Sequence, residues 1–142
     1  MTARLVLLAV TVLATAAPRP FATTAQLESF QTPSGNIACM ADDMDEDGRW
    51  ELRCDVGERD WRGGSAGRDC DLDSGDALGM GATGRPFWVC HGDTILRSGP
   101  VLGYGSTWRK GPFTCVVARE GVTCRNRARH GFFVSRSSYR LF

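Results

Sequence analysis

The sequence predicts an all-β domain, a small disulfide-stapled sandwich or a partly open barrel built from hairpins, and three observations predict it. Beyond about residue 30, apolar residues rarely keep the three-and-four spacing of a helix face for more than one turn. Short β-prone runs are instead punctuated throughout by Gly, Pro, Asp and Ser. Six cysteines stand at separations that allow neighbouring strands to be cross-linked.

The first segment reads as an address. Met1–Arg4 is short and positive, Leu5–Ala17 is apolar, and Ala14 and Ala16 supply the small residues of a cleavage site. Residues 1–16 are therefore expected to be a secretory signal peptide, with Ala25 an alternative cleavage point. The apolar stretch of 13 residues is too short for a membrane anchor. Residues 17–29 then form a flexible leader, and 30–142 a single disulfide-stabilised β domain. A hydrophobic content of 42% excludes wholesale disorder. No apolar run reaches the roughly 18 residues of a transmembrane span, which excludes a polytopic membrane protein. The expected location is secreted and extracellular. Sixteen Arg against one Lys, with abundant Ala and Gly, looks like the coding bias of a GC-rich genome.

An oxidising destination and an even count make three disulfides the default, out of 15 possible connectivities. F-T-C-V-V-A-R-E-G-V-T-C-R reads as two strands joined by a four-residue loop, Ala118–Gly121, in which Gly121 takes a positive φ. In that register Val117 faces Val122 and Cys115 faces Cys124, at a distance a disulfide can bridge. Cys39 and Cys54 repeat the pattern once the insertion Asp43–Gly48 is removed, and Gly35 precedes Cys39 by the same offset as Gly111 precedes Cys115. Both features hint at an internal repeat. Cys70 and Cys90 are left for one another, with strands Asp76–Met80 and Pro86–Cys90 around a Gly81–Gly84 turn.

From Phe30 onward the chain resembles a family of small secreted actinobacterial proteins known only as a domain of unknown function. The resemblance runs through F-Q-T-P-S-G-N-I-A-C (Phe30–Cys39), R-C-D (Arg53–Asp55), Trp61, C-H-G-D-T (Cys90–Thr94), L-G-Y-G (Leu102–Gly105), G-V-T-C-R-N (Gly121–Asn126), H-G-F (His130–Phe132) and S-R-S-S-Y (Ser135–Tyr139). It implies secretion and a cysteine-stapled β domain, and it transfers no catalytic residue.

Asp43, Asp45, Asp47 and Gly48 have the D-x-D-x-D-G spacing of a calcium loop, and Glu51 falls at its ninth position. Cys54 stands where the bidentate Glu belongs, so a solvated acidic hairpin tip is the expectation and calcium the weaker alternative. No other cofactor is expected. A second acidic group, Asp69, Asp71, Asp73 and Asp76, reads as a surface loop. Charge is segregated along the chain. Residues 28–76 carry 14 acidic and 5 basic residues, net −9, and residues 77–142 carry 10 basic and 2 acidic, net +8. Such asymmetry steers an oppositely charged partner or a second copy.

If Gly121–Arg129 runs on as one strand, Thr123, Arg125, Arg127 and Arg129 share a face. Three guanidinium groups followed by Phe132, Phe133 and Tyr139 suit phosphate, nucleic acid or another polyanion; the bland alternative is the solvent face of a half-buried strand. Catalysis has few actors. His91 and His130 are the only histidines, Ser98, Ser106 and Ser135 are generic hydroxyls, and no nucleophile elbow is present. Asp93–Thr94 reads as a turn whose carboxylate bonds local backbone amides. Trp50, Trp61, Trp88 and Trp108 serve either as core or as a sugar platform, with the core expected for most. The leading expectation is a secreted, non-enzymatic domain that binds an extracellular or cell-envelope partner. Polyanion binding by Arg125, Arg127 and Arg129 comes second, and an envelope hydrolase around His130 third.

Overall fold

A computed structural model describes residues 28–44 and 48–142; the expected signal peptide and nearly all of the leader lie outside the described residues. The elements are β1 (Ser29–Gln31), β2 (Ile37–Asp43), β3 (Trp50–Val56), β4 (Ala77–Gly81), β5 (Phe87–Trp88), β6 (Thr107–Lys110), β7 (Phe113–Ala118), β8 (Gly121–Arg125), β9 (Gly131–Val134) and β10 (Tyr139–Leu141). No helix occurs among the described residues. Strands β1 to β5 form one antiparallel meander and β6 to β10 a second, each strand pairing with its sequence neighbours. The two sheets face each other as an open sandwich around one apolar core.

The pairing register explains why the core closes. Phe30, Cys39, Cys54, Leu78 and Trp88 are successive partners across the first sheet. Trp108, Cys115, Cys124, Phe132 and Leu141 are the corresponding row across the second. Two of the corresponding pairs meet across the sandwich. The rings of Phe30 and Trp108 lie 5.1 Å apart at an interplanar angle of 55°. Cys54 Sγ and Cys124 Sγ approach to 3.9 Å, a packing contact, because both sulfurs are oxidised. Gly35 and Gly111 both hold positive φ, 69° and 50°, a conformation glycine takes without steric cost. The two five-strand meanders thus share strand order, the place of a cystine-bridged hairpin and a positive-φ glycine in the first turn.

The disulfides are Cys39–Cys54, Cys70–Cys90 and Cys115–Cys124. The β7–β8 hairpin has the expected register, Val117 opposite Val122 and Cys115 opposite Cys124. Its connection is shorter than expected, since Ala118 pairs with Gly121 and only Arg119 and Glu120 turn the chain. Strand β5 is cut to Phe87–Trp88, so Cys90 lies outside the sheet.

The expected strand Gly121–Arg129 stops at Arg125. The Asn126 side chain ends it: Oδ1 accepts from the backbone N–H groups of Ala128 and His130, both at 3.1 Å, and the chain turns back with Arg129 at φ 67°. Nδ2 of the same buried residue donates to the carbonyls of Gly81 and Gly84 at 2.9 and 2.7 Å. One amide thus closes the β8–β9 turn and ties it to the β4–β5 turn of the other sheet. Near the β5 and β10 edges, Tyr139 packs against Trp61 and Trp88 at 4.8 and 5.1 Å, and Trp61 Nε1 donates to the Ser135 carbonyl at 2.8 Å.

Candidate anion-binding face

Alternation along β6 to β10 sends one residue of each pair into the core and the next outward. Because Trp108 is fully buried, Arg109 points out; because Cys124 and Phe132 are buried, so do Arg125 and Phe133. The outward positions form two rows across the sheet. One runs Arg109, Thr114, Arg125, Gly131 and is extended by Phe142, which exchanges backbone hydrogen bonds with Gly131 at 2.8 and 2.9 Å. The other runs Thr107, Val116, Thr123, Phe133, Arg140. Neither row contains an Asp or Glu side chain, and Arg109, Arg125 and Arg140 are all exposed. Among the described residues, none of the ion pairs involves these three arginines.

Two of the three guanidinium groups are held in place by rings. Arg125 lies over Phe142 with 4.9 Å from Cζ to the ring centroid, and Arg140 over Phe133 at 5.6 Å. Cation–π contact restrains these side chains without neutralising them. Gly131 makes the first pairing possible. A Cβ there would sit 2.0 Å from the Cys124 carbonyl oxygen and 3.0 Å from Phe142 Cε2, so only a bare α-carbon lets the strands approach and the terminal ring lie across them.

The sequence-predicted site residues are only partly brought together. Arg125 is on this face, whereas Arg127 and Arg129 are exposed in the β8–β9 turn that Asn126 closes. Phe132 points into the core and Tyr139 joins the tryptophan cluster, which leaves Phe133 as the one expected aromatic on the face. Arg109 and Arg140 were not anticipated. The run T-W-R-K, with Trp inward, signals Arg109; Arg140 sits in a three-residue terminal strand whose orientation follows only from its pairing with β9. Trp108 is core, and Trp50, Trp61 and Trp88 are partly buried against it rather than set out as a platform.

Of the calcium-loop candidates, Asp43 ends β2 opposite Trp50, and Glu51 pairs with Asp42. Asp45 and Asp47 lie outside the described residues. Among the described residues the only close group of three or more metal-ligand side chains is Cys39, Cys54 and Cys124, whose sulfurs are committed to disulfides.

The outer side of the first sheet carries a different polar assembly. Asp55, 3% exposed, accepts a bidentate pair from Arg53 (2.7 and 2.9 Å), the Thr94 hydroxyl (3.1 Å) and the Ile95 N–H (2.9 Å). The Asp93 carboxylate accepts from Arg53 at 3.1 Å. The anticipated local Asp93 turn is therefore replaced by Asp55, forty positions upstream of Ile95, as the acceptor for that loop. Beside it, buried His91 presents Nε2 to Asp76 Oδ1 at 2.8 Å and Nδ1 to the Asp93 carbonyl at 2.6 Å. Two acceptors at two ring nitrogens are both satisfied only by imidazolium. Burial opposes that charge, but the hydrogen bond and charge of Asp76 and the Asp93 carbonyl outweigh both burial and Arg53, so His91 keeps its proton above the usual 6.5.

A pH effect follows with a definite sign. The stabilisation is complete below the unfolded-chain value and is lost as pH rises through the raised native value. Thermal melts from about pH 5.5 to about pH 9 should show wild type losing its advantage over His91→Gln on the alkaline side. A difference that is constant with pH would contradict this assignment.

An open groove of about 580 Å³ lies between turns of both sheets, lined in part by Ser34, Asn36, Glu58, Tyr104, Arg119 and Arg136. Its own contacts consume much of its polarity. Arg136 pairs with Glu58 at 3.0 Å, Asn36 Nδ2 donates to the Glu58 carbonyl at 2.9 Å, and Arg119 covers the Tyr104 ring at 5.0 Å. His130 contributes backbone groups to the Asn126 turn.

No curated protein and no solved structure matches this sequence significantly. The chain belongs to DUF6636, a family of unknown function, whose profile matches residues 6–142.

Proposed function

We propose that this member of DUF6636 is exported and acts as a non-catalytic binding domain, with the outer face of its second sheet as the contact surface and an anionic extracellular or cell-envelope polymer as its partner. One observation carries the proposal: Arg109, Arg125 and Arg140 share a face without Asp or Glu side chains, on the half of the chain with net charge +8 from 10 basic and 2 acidic residues. Such a face concentrates positive potential and draws in polyanions at a rate that falls with salt. Three disulfides in a chain of 142 residues are consistent with export to an oxidising compartment. The non-catalytic reading is supported at His91, whose two ring nitrogens are occupied by structural acceptors. The actinobacterial source is part of the same proposal, supported by the Arg bias of the sequence.

Retention on immobilised heparin tests the surface. Arg109→Ser/Arg125→Ser/Arg140→Ser should bind about 100-fold more weakly, at about 1 kcal/mol per lost exposed charge pair. Arg127→Ser/Arg129→Ser, in the turn, should bind nearly as wild type. Equal loss in both variants would show that only net charge matters, and no loss in the triple variant would refute the proposed face.

A further inference from the structure

We infer that the polymer this face takes is a chain of phosphodiester-linked polyols, contacted through its phosphates and not through bases or sugar rings; the inference rests on the face being the contact surface. Guanidinium forks match tetrahedral oxyanions bidentately, and Thr114 and Thr123, half-buried between the arginines, place hydroxyl donors of the kind that accompany arginine at phosphate.

Arg109 on β6 and Arg140 on β10 are four strand spacings apart, about 19 Å, and are offset by two residues, about 7 Å. Arg125 lies between them on β8. The three charges therefore mark a diagonal path of roughly 20 Å that crosses the strands. A single phosphate or a mononucleotide reaches one arginine. Only an extended chain with repeated negative charge reaches all three.

Binders of single-stranded nucleic acid offer bare aromatic faces on which bases stack. Here both rings are already covered, Phe142 by Arg125 and Phe133 by Arg140. A sugar ring is denied the same surface. Val116, 39% exposed between Thr107 and Thr123, leaves a small apolar step of a size that suits the short aliphatic linkers between phosphates.

The test uses the full mature chain and three probes of matched charge number: a synthetic poly(glycerol phosphate) of about a dozen units, an oligothymidylate with the same number of phosphates, and a heparin fragment. Poly(glycerol phosphate) should bind at least as tightly as oligothymidylate. Its three-unit form should bind at least tenfold more weakly than the full length. The slope of log K against log salt should be about −2 to −3 and should flatten by roughly one for each of Arg109→Ser, Arg125→Ser and Arg140→Ser. Tenfold tighter binding of oligothymidylate would overturn the base-free assignment, and an affinity independent of chain length would overturn the diagonal path. Binding to heparin alone, abolished by the triple Arg→Ser variant, would end the phosphate inference while leaving the contact surface intact. Failure of all three probes would end both.

Discussion

Reduction of the three cystines is expected to unfold this protein at room temperature. The bonded pairs are 15, 20 and 9 residues apart in sequence. Loops of that size each constrain the unfolded chain by about 3 kcal/mol, together about 9. A domain of this length has a net stability of about 5–15 kcal/mol, so the loss takes most or all of it. Two of the bonds also sit at the centre of the sandwich, where Cys39, Cys54, Cys115 and Cys124 are fully buried. Circular dichroism and tryptophan fluorescence after treatment with a dithiol reductant in mild denaturant should report a cooperative loss of structure. A reduced, alkylated chain that keeps the native spectrum would show that the sheets do not depend on their staples.

Trp108→Ala should be the most damaging single substitution, at about 4 kcal/mol. Trp108 is the largest of the fully buried side chains and packs on Phe30 across the two sheets. Its removal deletes one half of that contact and leaves a void between the sheets, at a cost set by how far they can close over it. Chemical denaturation should find the midpoint shifted strongly and the slope retained. A shift under about 1 kcal/mol would mean that the two meanders are held by their turns rather than by the shared core.

Local features were legible in the sequence to the degree that their causes are local. The Cys115–Cys124 pairing could be read because one hairpin sets both register and distance, and Cys39–Cys54 because it repeats that hairpin around an insertion. The matching offsets of Gly35 and Gly111 correspond to positive φ at both and to the same strand order in the two sheets. The expected continuous strand Gly121–Arg129 is broken by Asn126, and nothing nearby in sequence shows that its amide also answers carbonyls at Gly81 and Gly84, which come from the other meander. The turn it closes takes Arg127 and Arg129 off the face that holds Arg125. Arg109, Arg125 and Arg140 belong to three strands whose common face is fixed by pairing through β7 and β9, so no spacing along the chain could have joined them. Asp55 was invisible for the same reason: alternation puts it beside Arg53, but its loop partners Thr94 and Ile95 are brought in by the fold.

The claim that the second sheet's outer face is the contact surface is tested most directly by amide chemical-shift mapping of isotopically labelled protein during titration with poly(glycerol phosphate). The predicted shifts cluster at Arg109, Thr114, Val116, Thr123, Arg125, Phe133 and Arg140, in fast or intermediate exchange that salt suppresses. Shifts confined to the Arg127–Arg129 turn, or to the groove around Ser34 and Arg119, with this face silent, would contradict the account.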